Sequence, residues 1–167
     1  AYIESSYPQT LGDKAWLVSE IIESPKGACL DFWYHMKGQT SGNMTVFYRV
    51  LDKAPASLWF QEGDQGDRWI NVKIDIPVTN DHYDFIFQGV VGDGHQSDIA
   101  LDDISLGQGG NCAFLASTTQ APVTQPSAAF EWDFEDGTLG DWQQEEQTPW
   151  VVASGQTAVY GKAPLAD

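Results

Sequence analysis

Basic residues are scarce in this chain. Lys and Arg together number 8 against 24 Asp and Glu, a formal charge of −16 over 167 residues. Nucleic acid and anionic membrane surfaces are gripped by clustered Lys and Arg, so this balance excludes both as partners. It suits a surface that attracts hard cations or stays soluble in salt. Long apolar runs are missing too. None approaches the ~18 residues that cross a bilayer, so this segment is not expected to insert into a membrane. The chain opens AYIESS, with no basic start and no apolar stretch, so the piece is expected to have lost whatever targeted it. Cysteine is limited to Cys29 and Cys112, without a Cys-x-x-Cys and without a nearby histidine. A structural zinc site needs about four soft ligands, which these two cannot supply. They form either one long-range disulfide or two free core thiols. A disulfide places the protein outside the cytosol. Only His35, His82 and His95 are present, and no Ser or Cys nucleophile stands in an elbow or triad pattern near them. In so acidic a chain a pair of carboxylates carries no glycosidase signal. The chain is therefore expected not to be an enzyme.

What is abundant is aromatic: 7 Trp, 6 Tyr and 8 Phe, each able to bury a large area, in a chain long enough to hold one core. These residues fall in short β-rich segments over the first 112 positions. The segments Lys14–Glu20, Ala28–Met36, Met44–Leu51, Ser57–Gln61, Arg68–Ile76, His82–Val90 and Asp98–Leu106 are predicted strands. Several alternate as half-buried strands do; Val72, Ile74 and Ile76 share one face, with Asn71, Lys73 and Asp75 on the other. Gly- and Asp-rich stretches (KGQTSGN, EGDQGD, TNDH, GDGHQS) divide them as turns. About seven or more strands at this spacing predict an all-β fold, a sandwich or a jelly roll. Residues 113–129 (AFLASTTQAPVTQPSAA) are nearly uncharged and rich in Thr, Ser, Pro and Ala, the composition of an extended linker. Thr118, Thr119 and Thr124 are its candidate O-glycan positions. Residues 130–167 are folding sequence again. They hold about two strands, too few to be stable alone, so Trp132, Phe134, Trp142 and Trp150 need a partner surface.

The run CLDFWYHMKG, then MTVFYRV, QGDRW, FQGVVGDGHQSDIALDDISL and the closing Cys112, resembles the extracellular MAM domain, named for meprin, A5 protein and receptor phosphatase mu. The resemblance implies an all-β fold, a jelly-roll β-sandwich of two antiparallel sheets, and a Cys29–Cys112 disulfide. The family opens on an Asp-Phe-Glu segment with a nearby Trp. Here that opening is missing from the N-terminus and stands at the far end as Asp133–Phe134–Glu135 with Trp142 and Trp150. Read circularly, 130–167 followed by 1–112 makes nearly one domain. Either the chain is one period of a tandem array cut out of phase, or it is a fragment holding most of one domain and the start of the next. The first reading gives a body at 1–112 that lacks its opening strands, a linker at 113–129, and an opening segment at 130–167. That segment completes this body or a neighbouring copy's. A second disulfide common in the family is absent here, leaving the opening strand held by packing alone.

The resemblance and the residues together point to calcium. Alternation in DIALDDISL is expected to turn Asp102 or Asp103 inward, where a carboxylate needs a cation or several donors. Asp133, Glu135 and Asp136 would supply further oxygens to a structural calcium ion, as in jelly rolls of this kind. Asn43–Met44–Thr45 is an N-glycosylation sequon. Trp59 and Trp69 are candidates for a sugar-stacking platform, or else core. The expected function is that of an extracellular structural or adhesion module, its partners other copies of itself. The alternatives are an ectodomain piece of a cell-adhesion receptor and a carbohydrate-binding module.

Overall fold

The structure is a computed structural model, and it describes residues 1–23, 26–94, 98–113, 130–145 and 150–151. Alternation decides which side of each strand goes inside. In β3 (Ala28–Met36) the residues Leu30, Phe32, Tyr34 and Met36 are buried, while Asp31 and Trp33 face out. In β7 (Tyr83–Val90) Tyr83, Phe85 and Phe87 join the same core. A strand with one apolar face must bury it against another such face, and two sheets result. One has β1 (Tyr2–Ile3), β8 (Ile99–Gln108), β3 and β6 (Ile70–Ile76) in that order, with β9 (Phe130–Trp132) also on β8. The other runs β10 (Gln143–Glu145), β2 (Lys14–Val18), β7, β4 (Asn43–Val50) and β5 (Ala56–Glu62). All pairings are antiparallel, so the expected β-sandwich is what the chain forms. The seven predicted strands all form, with ends shifted by a residue or two.

Cys29 and Cys112 are bonded, closing a loop across a sequence separation of 83. The bond pins the chain beyond β8 to the outer face of β3, and the Cys112 amide donates to Asp75 at 2.7 Å. On the second sheet, Arg49 clamps the buried Asp84 with two nitrogens.

Strand β8 departs from the alternation read in the sequence. Asp31 faces Ser105 and Trp33 faces Asp102, so Asp103 and Ile104 together stand opposite Phe32. This is a β-bulge, one extra residue on one strand. Asp103 takes it up in a left-handed conformation, φ 47°, which Asp tolerates better than most residues. Leu101 and Ile104 therefore both point into the core with two acids between them. Neither Asp102 nor Asp103 turns inward, contrary to the expectation from strict alternation.

Candidate functional site

The segment that begins at Phe130 closes the sandwich along one side. Phe130 and Trp132 pair with Leu106 and Ile104, placing β9 on the outer edge of β8. The chain then crosses to the other sheet, where Gln143, Gln144 and Glu145 pair with Val18, Leu17 and Trp16. At Val151 it returns to the first sheet and exchanges two backbone hydrogen bonds with Tyr2, at 2.8 and 2.7 Å. One short stretch thus covers an edge of each sheet. Exposed edges are templates for unwanted pairing, so this cover is protective.

The crossing carries the core contacts. Phe134, Trp142 and Trp150 are 6, 5 and 2% exposed, among the body's own core residues. Trp142 packs edge-on against Phe87 (5.6 Å between ring centroids) and against Trp132 (5.0 Å). Trp132 is only half-buried and lies flat against Phe130. The crossing turn is held locally: Asp133 accepts from the Glu135 amide, and Asp136 accepts from the Thr138 amide and hydroxyl. The indole N–H groups of Trp142 and Trp150 are buried without an acceptor among the described residues. Beside Trp150, Ile3 has room because β7 offers no side chain at Gly89. A Cβ built there would lie 2.0 Å from Ile3 Cδ1 and 3.6 Å from Trp150. Gly89→Ala is expected to cost about 1–3 kcal/mol by overpacking, read as a lower urea midpoint at unchanged slope. An unchanged midpoint would show that Ile3 and Trp150 do not sit here. Sequence reasoning missed Gly89; the break in β7's large inward residues at Tyr83, Phe85 and Phe87 was the available signal.

The five candidate calcium ligands do not come together as one set. Asp102, Asp103 and Glu135 are close enough for the last two to act on the first. Burial pushes the Asp102 carboxyl above the usual carboxylate range, and both neighbouring acids add to this. A hydrogen bond from the Asp103 amide and the charge of the Ala1 amino group oppose it. Asp133 and Asp136 serve the turn instead. Among the described residues no group of three His, Cys, Asp or Glu is arranged to hold a metal ion. Asn43 lies half-buried at the start of β4, between Val90 and Glu62, with Thr45 packed on the same outer face. Thr118, Thr119, Thr124 and His95 lie outside the described residues. His35 bonds Asp67 at 3.1 Å, and His82 bonds Glu23. The two tryptophans offered as a joint sugar platform are separated. Trp59 turns into the core against Phe32 and Tyr34, whereas Trp69 leans on His35 across the outer face of the first sheet.

No described helix is long and apolar enough to cross a membrane. The family signature described as MAM domain, meprin/A5/mu, matches residues 1–113. The mouse MAM domain-containing glycosylphosphatidylinositol anchor protein 2 is 36% identical over 124 residues, covering 67% of this chain and 13% of that protein. The human MAM domain-containing glycosylphosphatidylinositol anchor protein 1 is 36% identical over 111 residues, covering 65% and 12%. Neuropilin-1 of Xenopus laevis is 36% identical over 98 residues, covering 57% and 11%. The chain thus spans about an eighth of the length of these relatives. With the two-sheet fold, the Cys29–Cys112 bond and the match over most of its length, the chain belongs to the MAM domain family.

Proposed function

We propose that this chain is a non-catalytic, extracellular structural and adhesion module, one unit of an array of MAM domains that joins head-to-tail by strand complementation. The observation that carries the reading is the seam: residues 130–151 supply strands to both sheets and three aromatics to the core. The linker around it has slack. Cys112 is tied to Cys29, which pairs with Gly107; the next residue of β8, Leu106, pairs with Phe130. Exit and re-entry are therefore about two strand spacings apart, roughly 10 Å. The 17 residues of 113–129 would reach roughly 50 Å if extended. The same contacts form whether the segment closes its own body or another's, and contacts between copies are heterologous, so they need not form a closed ring. The disulfide supports an extracellular setting, and two relatives are by name glycosylphosphatidylinositol-anchored. Their much greater length favours a place for this unit within a longer surface protein.

Light scattering on the purified chain tests the assembly. Self-closure is favoured when dilute, since a tether confers an effective concentration in the millimolar range. Linear oligomers that grow with concentration and vanish in Trp142→Ala are the expected result. A monomer at every concentration removes the filament and leaves the module. Sequencing of the parent gene tests the array, which requires repeats with a period near the chain length.

Calcium binding at the acids of β8 is carried in the same proposal on its oxygen chemistry alone. Among the described residues no three acids are arranged to hold a metal ion, so the ion would have to draw Asp102, Asp103 and Glu135 together on binding. Because its folded pKa is raised, Asp102 binds its proton more tightly when folded. Its contribution is thus most favourable at acid pH and is lost as pH rises from the unfolded value through the folded one. In chelator at neutral pH, Asp102→Asn is expected to melt higher than the parent, the gap closing toward acid. Added calcium should raise the melting temperature of the parent and not of the variant. A parent curve indifferent to both chelator and calcium would eliminate the ion. The sequon Asn43 and the three linker threonines are carried in this proposal as glycan positions, to be read by mass spectrometry of the secreted protein.

A further inference from the structure

We infer that the outer face of the first sheet, centred on Trp33, binds a neutral oligosaccharide. Of the large hydrophobic residues standing exposed among those described, Trp33 is the one tryptophan, at 39%. It lies mid-strand on β3, not at a loop tip. Residues directly opposite one another on antiparallel strands project to the same face. Trp33 is therefore flanked by Asn71 on β6 and Asp102 on β8. Two residues along, on the same face, Asp31 pairs with Lys73, and in the other direction His35 meets Trp69. Trp69 thus stands diagonal to Trp33, about 7–8 Å away between Cα atoms, within reach of the rings of one short sugar chain.

The chemistry of this face is that of saccharide recognition. A pyranose has apolar C–H faces that lie on an indole and hydroxyls round its rim that seek planar polar groups. Carboxylates accept such hydroxyl protons, and an amide both accepts and donates. Asn71 is held in place, its Nδ2 donating to Asp31 Oδ1 at 2.6 Å and to the Phe32 carbonyl at 3.2 Å, which leaves its Oδ1 to accept from a sugar hydroxyl. Protein docking sites centre on clustered, fully buried apolar anchors, whereas this face isolates its aromatics among Asp, Asn and Lys. The net charge of −16 and the flanking acids exclude sulfated and sialylated glycans and leave neutral ones. The β8 bulge stands opposite β3 at this level, between the Asp31–Ser105 and Trp33–Asp102 pairs, with Asp103 in its left-handed conformation. Bulges re-aim side chains next to functional sites, and here the bulge begins directly after Asp102, the residue opposite Trp33. The ring and its flanks come from β3, β6 and β8, and of residues 130–151 Glu135 lies near enough to act on the Asp102 charge.

The test is an NMR titration of the full chain with cellotetraose, chitotriose and mannotriose, a heparin oligosaccharide serving as the anionic probe. The expected result is a saturable shift of the Trp33 indole N–H with at least one neutral probe and none with heparin. Trp33→Ala should weaken that binding at least tenfold, Trp33→Tyr should restore part of it, and Asn71→Ala should weaken it in a variant that remains folded. The inference is overturned if no neutral probe shifts the Trp33 indole, if the affinity survives Trp33→Ala in a folded variant, or if heparin alone binds.

Discussion

Replacing Trp142 with alanine is expected to remove about 3–5 kcal/mol of stability, which for a chain of this size lowers the melting temperature by about 6–20 °C. The indole lies 5% exposed between Phe87 of the body and Trp132 of the closing segment. Its loss opens a cavity where the two sheets are held together. Domains of this kind hold only about 5–15 kcal/mol in all, so adding Trp150→Ala should leave the chain largely unfolded or associated through the bared edges of β8 and β2. Trp142→Phe is expected to cost much less, because it keeps the ring contact and removes a buried N–H that has no acceptor among the described residues. Urea unfolding of the three variants, followed by tryptophan fluorescence and light scattering, reads all of this. Midpoints equal to the parent's would mean that residues 130–151 are not part of the folded core.

Reduction of the Cys29–Cys112 bond is the other large effect. In the chain-entropy account a loop across this separation of 83 residues is worth about 4–5 kcal/mol, an upper figure. A drop approaching that size is expected in reductant, with far-ultraviolet circular dichroism still β-rich below the new transition. The bond also fixes where the chain beyond Cys112 leaves the sandwich, beside Asp75 and two strands from the point where Phe130 pairs with β8. Its loss should therefore promote exchange of the closing segment between copies, seen as more oligomer at equal concentration. A melting temperature indifferent to reductant would contradict the loop-closure account.

Strands were legible in the sequence wherever alternation was unbroken. In β6, Val72, Ile74 and Ile76 declare their face unaided, and in β3 the run from Leu30 to Met36 does so through aromatics. β1, β9 and β10 were not placed residue by residue, because strands of two or three residues have no period to detect. Their existence follows from what they cover. The acids of β8 show a related failure. A strictly two-residue period requires one of Asp102 and Asp103 to face inward, and a bulge makes the requirement vanish by spending one residue outside the ladder. Trp59 and Trp69 look alike in the sequence; Trp59 projects from the inner face of its sheet onto Phe32 and Tyr34, whereas Trp69 lies on the outer face of the other sheet beside His35.

By itself the sequence determined the fold class, the family, the paired cysteines' candidacy and the need of Trp132, Phe134, Trp142 and Trp150 for a partner surface. These rest on composition, period and ordered motifs, which are local properties of the chain. Only the tertiary structure decided that Phe134, Trp142 and Trp150 enter the same core as Phe87, that the acids of β8 stay outside it, and that Trp33 is the tryptophan left to solvent. Each of these depends on strand order and register, and a shift of one residue in register turns every side chain of a strand to its opposite face.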